Sequence, residues 1–185
     1  VRRRAVVLAG LLAALGLAAS GPAPWVVIRE ASTITLTVRA LGGSHHGRFE
    51  DWRGDIVFDP AAPERTRATV LVQAGSLRMR TSALTERARG GSLLDAARHP
   101  VIRFDLRSLQ PVGGGRYTAR AEVTMKERTR PVSFPVDLRV TGDRAHLAGA
   151  FTLDRTQFGI GTTGAWNRIL GREVTVRVAL QARRA

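Results

Sequence analysis

The side chains able to do chemistry are few and scattered. There are four histidines and no cysteine in 185 residues. His45 and His46 are neighbours, and neighbours on an extended chain point to opposite sides, so the pair reads as a solvated turn and not as two metal ligands. His99 precedes Pro100 at a turn, and His146 falls on the outward phase of a strand. Ser44 and Ser92 each follow a glycine pair, but neither sits in Gly-x-Ser-x-Gly, and no phosphate-cradling loop is present. The missing cysteine excludes disulfides, thiolate metal sites, a thiol nucleophile and a lipid anchor on cysteine. Asp154 and Arg155 are expected to form an ion pair pinning the closing strands. Arg155 or Arg168 could meet a pyrophosphate head group, on grounds of charge alone. Converging acids, bases or metal ligands are absent from the inward positions, so neither an enzyme nor a cofactor is expected.

What the sequence offers instead is alternation. Val174, Val176, Val178 and Leu180 share one face of a segment whose other face carries Thr175 and Arg177, and Leu147, Phe151 and Leu153 do the same just before it. Period-two patterning of this kind predicts antiparallel strands with one dry face. It recurs through Ile34, Leu36 and Val38; through Trp52, Ile56 and Phe58; and through Val70 and Val72. It returns with Ile102, Phe104 and Leu106, then Tyr117, Ala119, Ala121, Val123 and Met125, then Val132, Phe134, Val136 and Leu138. Eight strands are predicted. Leu41 to Gly47 reads as a turn, Gly54 as a bend or bulge, and Gly142-Asp143 as a two-residue hairpin turn. The period changes between Thr81 and Pro100, where one or two short helices are expected, the second starting at Ser92. Eight antiparallel strands could build a sandwich or a closed barrel, and a barrel of eight is either filled by side chains or holds one small ligand.

Arg2, Arg3 and Arg4 precede an uncharged apolar run, Ala5 to Ala19, followed by small residues, the pattern of an export signal over residues 1–20. The run is too short for a spanning helix. A single domain over residues 25–185, periplasmic or secreted, is the expectation. The net charge of +14 comes almost wholly from arginine. Those arginines are scattered on the polar faces of the strands, as on a solvated barrel exterior. That distribution argues against a nucleic-acid stripe and is compatible with transient contact with an anionic membrane surface.

The segment AFTLDRTQFGIG, Ala150 to Gly161, followed by the Val174–Leu180 alternation, resembles the closing segment of the YceI-like family. Gly47-Arg48-Phe49 with Trp52 to Asp59 is similar to its "G.F..w.G.i.fD" motif, Leu93 to Phe104 to its "FFDa..yP.i.F", Ser76-Leu77 to its "SL", and Thr129 to Val132 to its "T.PV". The resemblance covers almost the whole chain beyond the export signal, in order. Departures are Leu93 and Leu94 where the family has large aromatics, and the loss of both glycines of "v.G.LtirG" at Ala119 to Glu127. The resemblance implies an all-β, lipocalin-like eight-stranded antiparallel barrel, with the helices between strands 3 and 4, holding a polyisoprenoid or similar long amphiphile in an apolar tunnel. The expected lining is Ile34, Leu36, Trp52, Ile56, Phe58, Val70, Ile102, Phe104, Tyr117, Phe134 and Phe151, with Phe158 and Trp166 at a mouth. A carrier or storage role without catalysis follows. The rival is an envelope structural or stress protein with a filled barrel and a protein partner. Either could be a monomer or a homodimer.

Overall fold

A computed structural model describes residues 23–59 and 62–185; the export signal and the Pro60 turn lie outside the described residues. Eleven strands form one sheet: β1 (Ala23–Val27), β2 (Thr33–Ala40), β3 (Gly43–Phe49), β4 (Trp52–Phe58), β5 (Arg67–Gln73), β6 (Leu77–Met79), β7 (Val101–Gly113), β8 (Arg116–Met125), β9 (Arg128–Thr141), β10 (Arg144–Asp154) and β11 (Leu170–Arg184). The sheet order β1-β4-β5-β7-β8-β9-β10-β11 returns to β1, so the sheet closes on itself. All pairings are antiparallel.

The predicted eight positions hold, but three of them are broken staves. β1 and β2 lie end to end along β11: Val27 faces Ala182, and further along Ile34 faces Val178. β3 runs on into β4, and β5 into β6, so each pair fills one position. The breaks at 28–32, 50–51 and 74–76 are stitched together across the wall. The Arg29 guanidinium donates to the Glu50 carbonyl at 2.8 Å, the Ser76 hydroxyl to the Asp51 carbonyl at 3.2 Å, and the Gln73 amide to the Asp51 carbonyl at 2.9 Å. The smaller cluster of buried side chains, around Ile34, Phe49, Trp52 and Leu77, spans this crease, and a larger one gathers around Leu109, Phe134, Phe151 and Phe158.

Several expectations need correction. Residues 43–47 are strand β3, and only Leu41-Gly42 turns. The apolar alternation is missing there because glycine occupies the inward position 47, where a Cβ would come within 2.6 Å of the Met79 sulfur. Gly54 sits in unbroken register opposite Val70 and makes no bulge; register shifts occur in β7 with β8 and in β11 with β2. One helix, α1 (Ser82–Arg89), lies between β6 and β7, with the Thr81 hydroxyl accepting from the Leu84 amide at 3.2 Å. No helix starts at Ser92, because the amides of Leu93 and Asp95 both fold back onto the Gly90 carbonyl and Asp95 takes φ +52°. An unforeseen single turn, α2 (Trp166–Ile169), precedes β11.

The β8–β9 hairpin turns through Lys126 and Glu127 at φ +47° and +62°. The left-handed region costs a residue with a Cβ about 1–2 kcal/mol. Glu127 is exposed, so Glu127→Gly should stabilise the fold by about 1 kcal/mol and raise the melting temperature by roughly 2–4 °C. Thermal unfolding of the two proteins side by side measures this, and an unchanged or lower midpoint is the adverse result.

Candidate functional site: an apolar cavity along the barrel axis

The inward faces of the staves do not meet across the centre. They leave a cavity of about 270 Å3 whose walls are almost entirely apolar. It runs the length of the barrel, from Leu93, Leu94, Ile160 and Leu170 at one end to Trp25, Thr66, Ala145 and Ala182 at the other. The middle is formed by Ile34 and Leu36 of β2, Val70 of β5, Ile102 and Phe104 of β7, Phe134 of β9, Phe151 of β10 and Val176 and Val178 of β11. Three phenylalanines form one aromatic wall, with centroids 4.7 Å apart for Phe134 and Phe151 and 6.0 Å for Phe104 and Phe151.

Of the side chains expected to line a tunnel, Ile34, Leu36, Ile56, Phe58, Val70, Ile102, Phe104, Phe134 and Phe151 are brought together around this cavity. Trp52 is buried in the smaller cluster beneath the Arg29 guanidinium, 5.6 Å from its ring centre. Tyr117 packs against the larger cluster without reaching the cavity, and Phe158 is buried behind the wall. Trp166 is half-buried outside, its ring covered by the Arg87 guanidinium at 5.5 Å, which ties α1 to α2. Arg168 is exposed and also lies off the cavity. Val174, Val176, Val178 and Leu180 also belong to the lining although the expected set omits them; their alternation is a sufficient signal. Trp25 and Thr66 carried none, one following a proline and the other standing between arginines.

The capped end is held by backbone hydrogen bonds to long cations. Arg155 is 2% exposed, yet it has no carboxylate partner. Its Nε donates to the Gly171 carbonyl at 2.8 Å, Nη1 to Ile160 and Gly161 at 2.7 and 2.8 Å, and Nη2 to Leu170 at 2.8 Å. The expected Asp154–Arg155 pair does not form. Successive residues leave a strand on opposite sides, so Arg155 turns in and Asp154 turns out, to Arg172 at 2.7 Å and to the hydroxyl and amide of Thr156 at 2.6 and 2.9 Å. Burial lowers the Arg155 pKa from its ordinary value. Gly161, at φ +58°, lies against Leu93 and Leu170, each 3.0 Å from where a Cβ would stand, and its amide donates to the Ser92 carbonyl. Lys126, the sole lysine, donates to the carbonyls of Leu93 and Gly159 at 3.1 and 3.4 Å and bridges the same two loops.

The Thr156 hydroxyl, and after it Arg172, hold the Asp154 carboxylate below its ordinary pKa. A carboxylate with a depressed folded-state pKa contributes stability above the unfolded value of about 3.9 and loses it as pH falls through the lower folded value. The acid limb of stability against pH should therefore flatten in Asp154→Asn below about pH 4, as pH falls towards and through the lowered folded value. Urea unfolding across that window tests it, and parallel curves for the two proteins are the contrary result.

Among the described residues no group of three or more histidines and carboxylates is placed to hold a metal, and no helix is long and apolar enough to cross a membrane. The arrangement can shelter an apolar chain from water.

Comparison with known proteins agrees with this geometry. The family model described as a YceI-like domain matches residues 25–182. A UPF0312 protein of Pseudomonas syringae pv. tomato is 26% identical over 162 residues, which cover 83% of this chain and 84% of that one. One from Vibrio cholerae is 24% identical over 173 residues, 88% and 92% of the two chains. Among solved structures, Burkholderia cenocepacia BcnA superposes with a TM-score of 0.79 at 23% identity, covering 84% of this chain and 98% of its own. A polyisoprenoid binding domain from Saccharophagus degradans, implicated in plant cell wall breakdown, gives 0.68 at 12% identity, covering 87% and 98%.

Proposed function

Because this chain belongs to the YceI-like domain family, we propose that it binds a polyisoprenoid or similar long amphiphile along its barrel axis and carries or stores it without chemical change. The observation that carries the reading is the continuous apolar cavity between the two ends of the barrel. Each methylene moved from water into such walls contributes about 0.8 kcal/mol, so a long chain can be held by contact alone, after the cost of association. The Saccharophagus likeness lends the ligand class. The patterned leader supports a periplasmic or secreted location, and the arginine-rich exterior suits brief contact with an anionic bilayer from which a lipid would be drawn. An open cavity favours this reading over a filled barrel acting through a protein partner.

The test is transfer. Purified protein is incubated with vesicles containing a trace of radiolabelled long-chain polyprenol, separated by flotation and extracted. Label recovered with the protein, chemically unchanged, is expected. Label remaining wholly in the vesicles contradicts binding, and label recovered in altered form contradicts the non-catalytic role.

A further inference from the structure

The buried polar groups of the cavity are not alike at its two ends. At the capped end, four of the five N–H groups of Arg155 are committed to carbonyls, which leaves that guanidinium little to offer a ligand. At the opposite floor, two donors have no acceptor at all. Trp25 is 4% exposed and its indole N–H is unpartnered; Thr66 is 3% exposed and its hydroxyl is unpartnered. Both residues line the cavity. They stand on the same end of the wall two staves apart, since Trp25 faces Ile56, Ile56 faces Ala68, and Thr66 precedes Ala68 by two residues. Arg184 stands opposite Trp25 on β11 with its guanidinium 5.6 Å over the indole ring, and its buried Nε also lacks a partner.

Buried polar atoms in folded proteins are nearly always hydrogen-bonded, and a cluster of exceptions asks for a missing partner. Each of these three groups donates, and one is cationic. We propose that the floor of the cavity at Trp25, Thr66 and Arg184 is a polar subsite that receives the oxygen-bearing end of the bound amphiphile, an anionic or carbonyl oxygen accepting from these donors. The inference rests on the lipid-binding reading above and deepens it. The chain lies with its apolar tail towards Leu93 and Leu170 and its polar end towards Trp25, the reverse of an orientation set by Arg155 or Arg168.

Two ligands of equal length separate the subsite from the cavity. Palmitate and hexadecane, each delivered from cyclodextrin, are titrated against wild type, Trp25→Phe and Thr66→Val by displacement of a fluorescent apolar probe. Trp25→Phe keeps an aromatic ring and Thr66→Val keeps the shape. Neither loses an existing hydrogen bond, so both should fold with unfolding midpoints close to wild type. Each substitution is expected to weaken palmitate about five- to tenfold and leave hexadecane within about twofold. Equal changes for the two ligands, or no change for either, overturn the subsite while leaving the cavity intact as a binding site. Failure of wild type to bind hexadecane or palmitate overturns the lipid-binding reading, and the subsite with it.

Discussion

Arg155→Met should cost the fold about 3–5 kcal/mol, the largest loss expected from any single polar residue in this barrel. The guanidinium is the common donor for four carbonyls, those of Ile160, Gly161, Leu170 and Gly171, on both sides of the long β10–β11 connection. A thioether fills most of its volume and donates nothing. An orphaned buried carbonyl costs about 1–3 kcal/mol; relief of the desolvated charge and inflow of water offset part of the sum. For a chain of this size the loss corresponds to a fall in melting temperature of roughly 10 °C. Arg155→Lys should rescue little, since one ammonium has three donors on a single atom and cannot span the planar fork. Equilibrium unfolding in urea decides the matter. A cost below about 1 kcal/mol for Arg155→Met, or full rescue by lysine, would show that the carbonyls find other partners.

The second expectation separates cavity from fold. Val176 lies at the middle of β11, opposite Phe151 on one side and Leu36 on the other, with its side chain in the cavity lining. Val176→Trp should abolish long-chain binding, weakening it on the order of a hundredfold or more. Displacing three to four methylenes of ligand forfeits about 2.5–3 kcal/mol of apolar burial. Stability should change by less than about 1.5 kcal/mol because the indole grows into empty space and not into packed atoms. Thr175→Trp, one residue along and on the outer face, serves as the control and should bind as wild type. Probe titration with thermal melting of all three proteins measures both quantities. Unaltered binding by Val176→Trp would mean that the ligand, if any, sits elsewhere.

Much of the barrel was legible because its physics is local. One-faced alternation survives in every long stave, and Gly142-Asp143 marks its hairpin as expected. The crease was not legible: β1 and β3 carry glycine, histidine or proline where alternation would announce a strand, and their ladders form because β11 and β2 present ready edges. The cavity could not be separated from a packed core either. A strand that faces a void and one that faces its neighbour's side chains have the same period. Family likeness, and then the geometry, decided between them.

Most of the residues expected in a tunnel lie on the cavity wall, but the polar groups have other partners than expected. Asp154 and Arg155 stand together in sequence, and that adjacency is what keeps them apart in space. The closing motif proved structural: Gly159 and Gly161 take φ +69° and +58° so that Arg155 can reach the carbonyls around it. Trp166 and Phe158 mark the capped end but lie outside the cavity. Trp25 and Thr66, which no motif singled out, stand at its floor.

The most direct measurement is native mass spectrometry of protein purified gently from its own host, followed by solvent extraction and analysis of whatever is released. A barrel built to shelter a long apolar chain should fly with one added mass per chain, and the extract should contain a single class of long-chain amphiphile in near-stoichiometric amount. Protein that repeatedly shows only its own mass, with no lipid in the extract, would contradict the account.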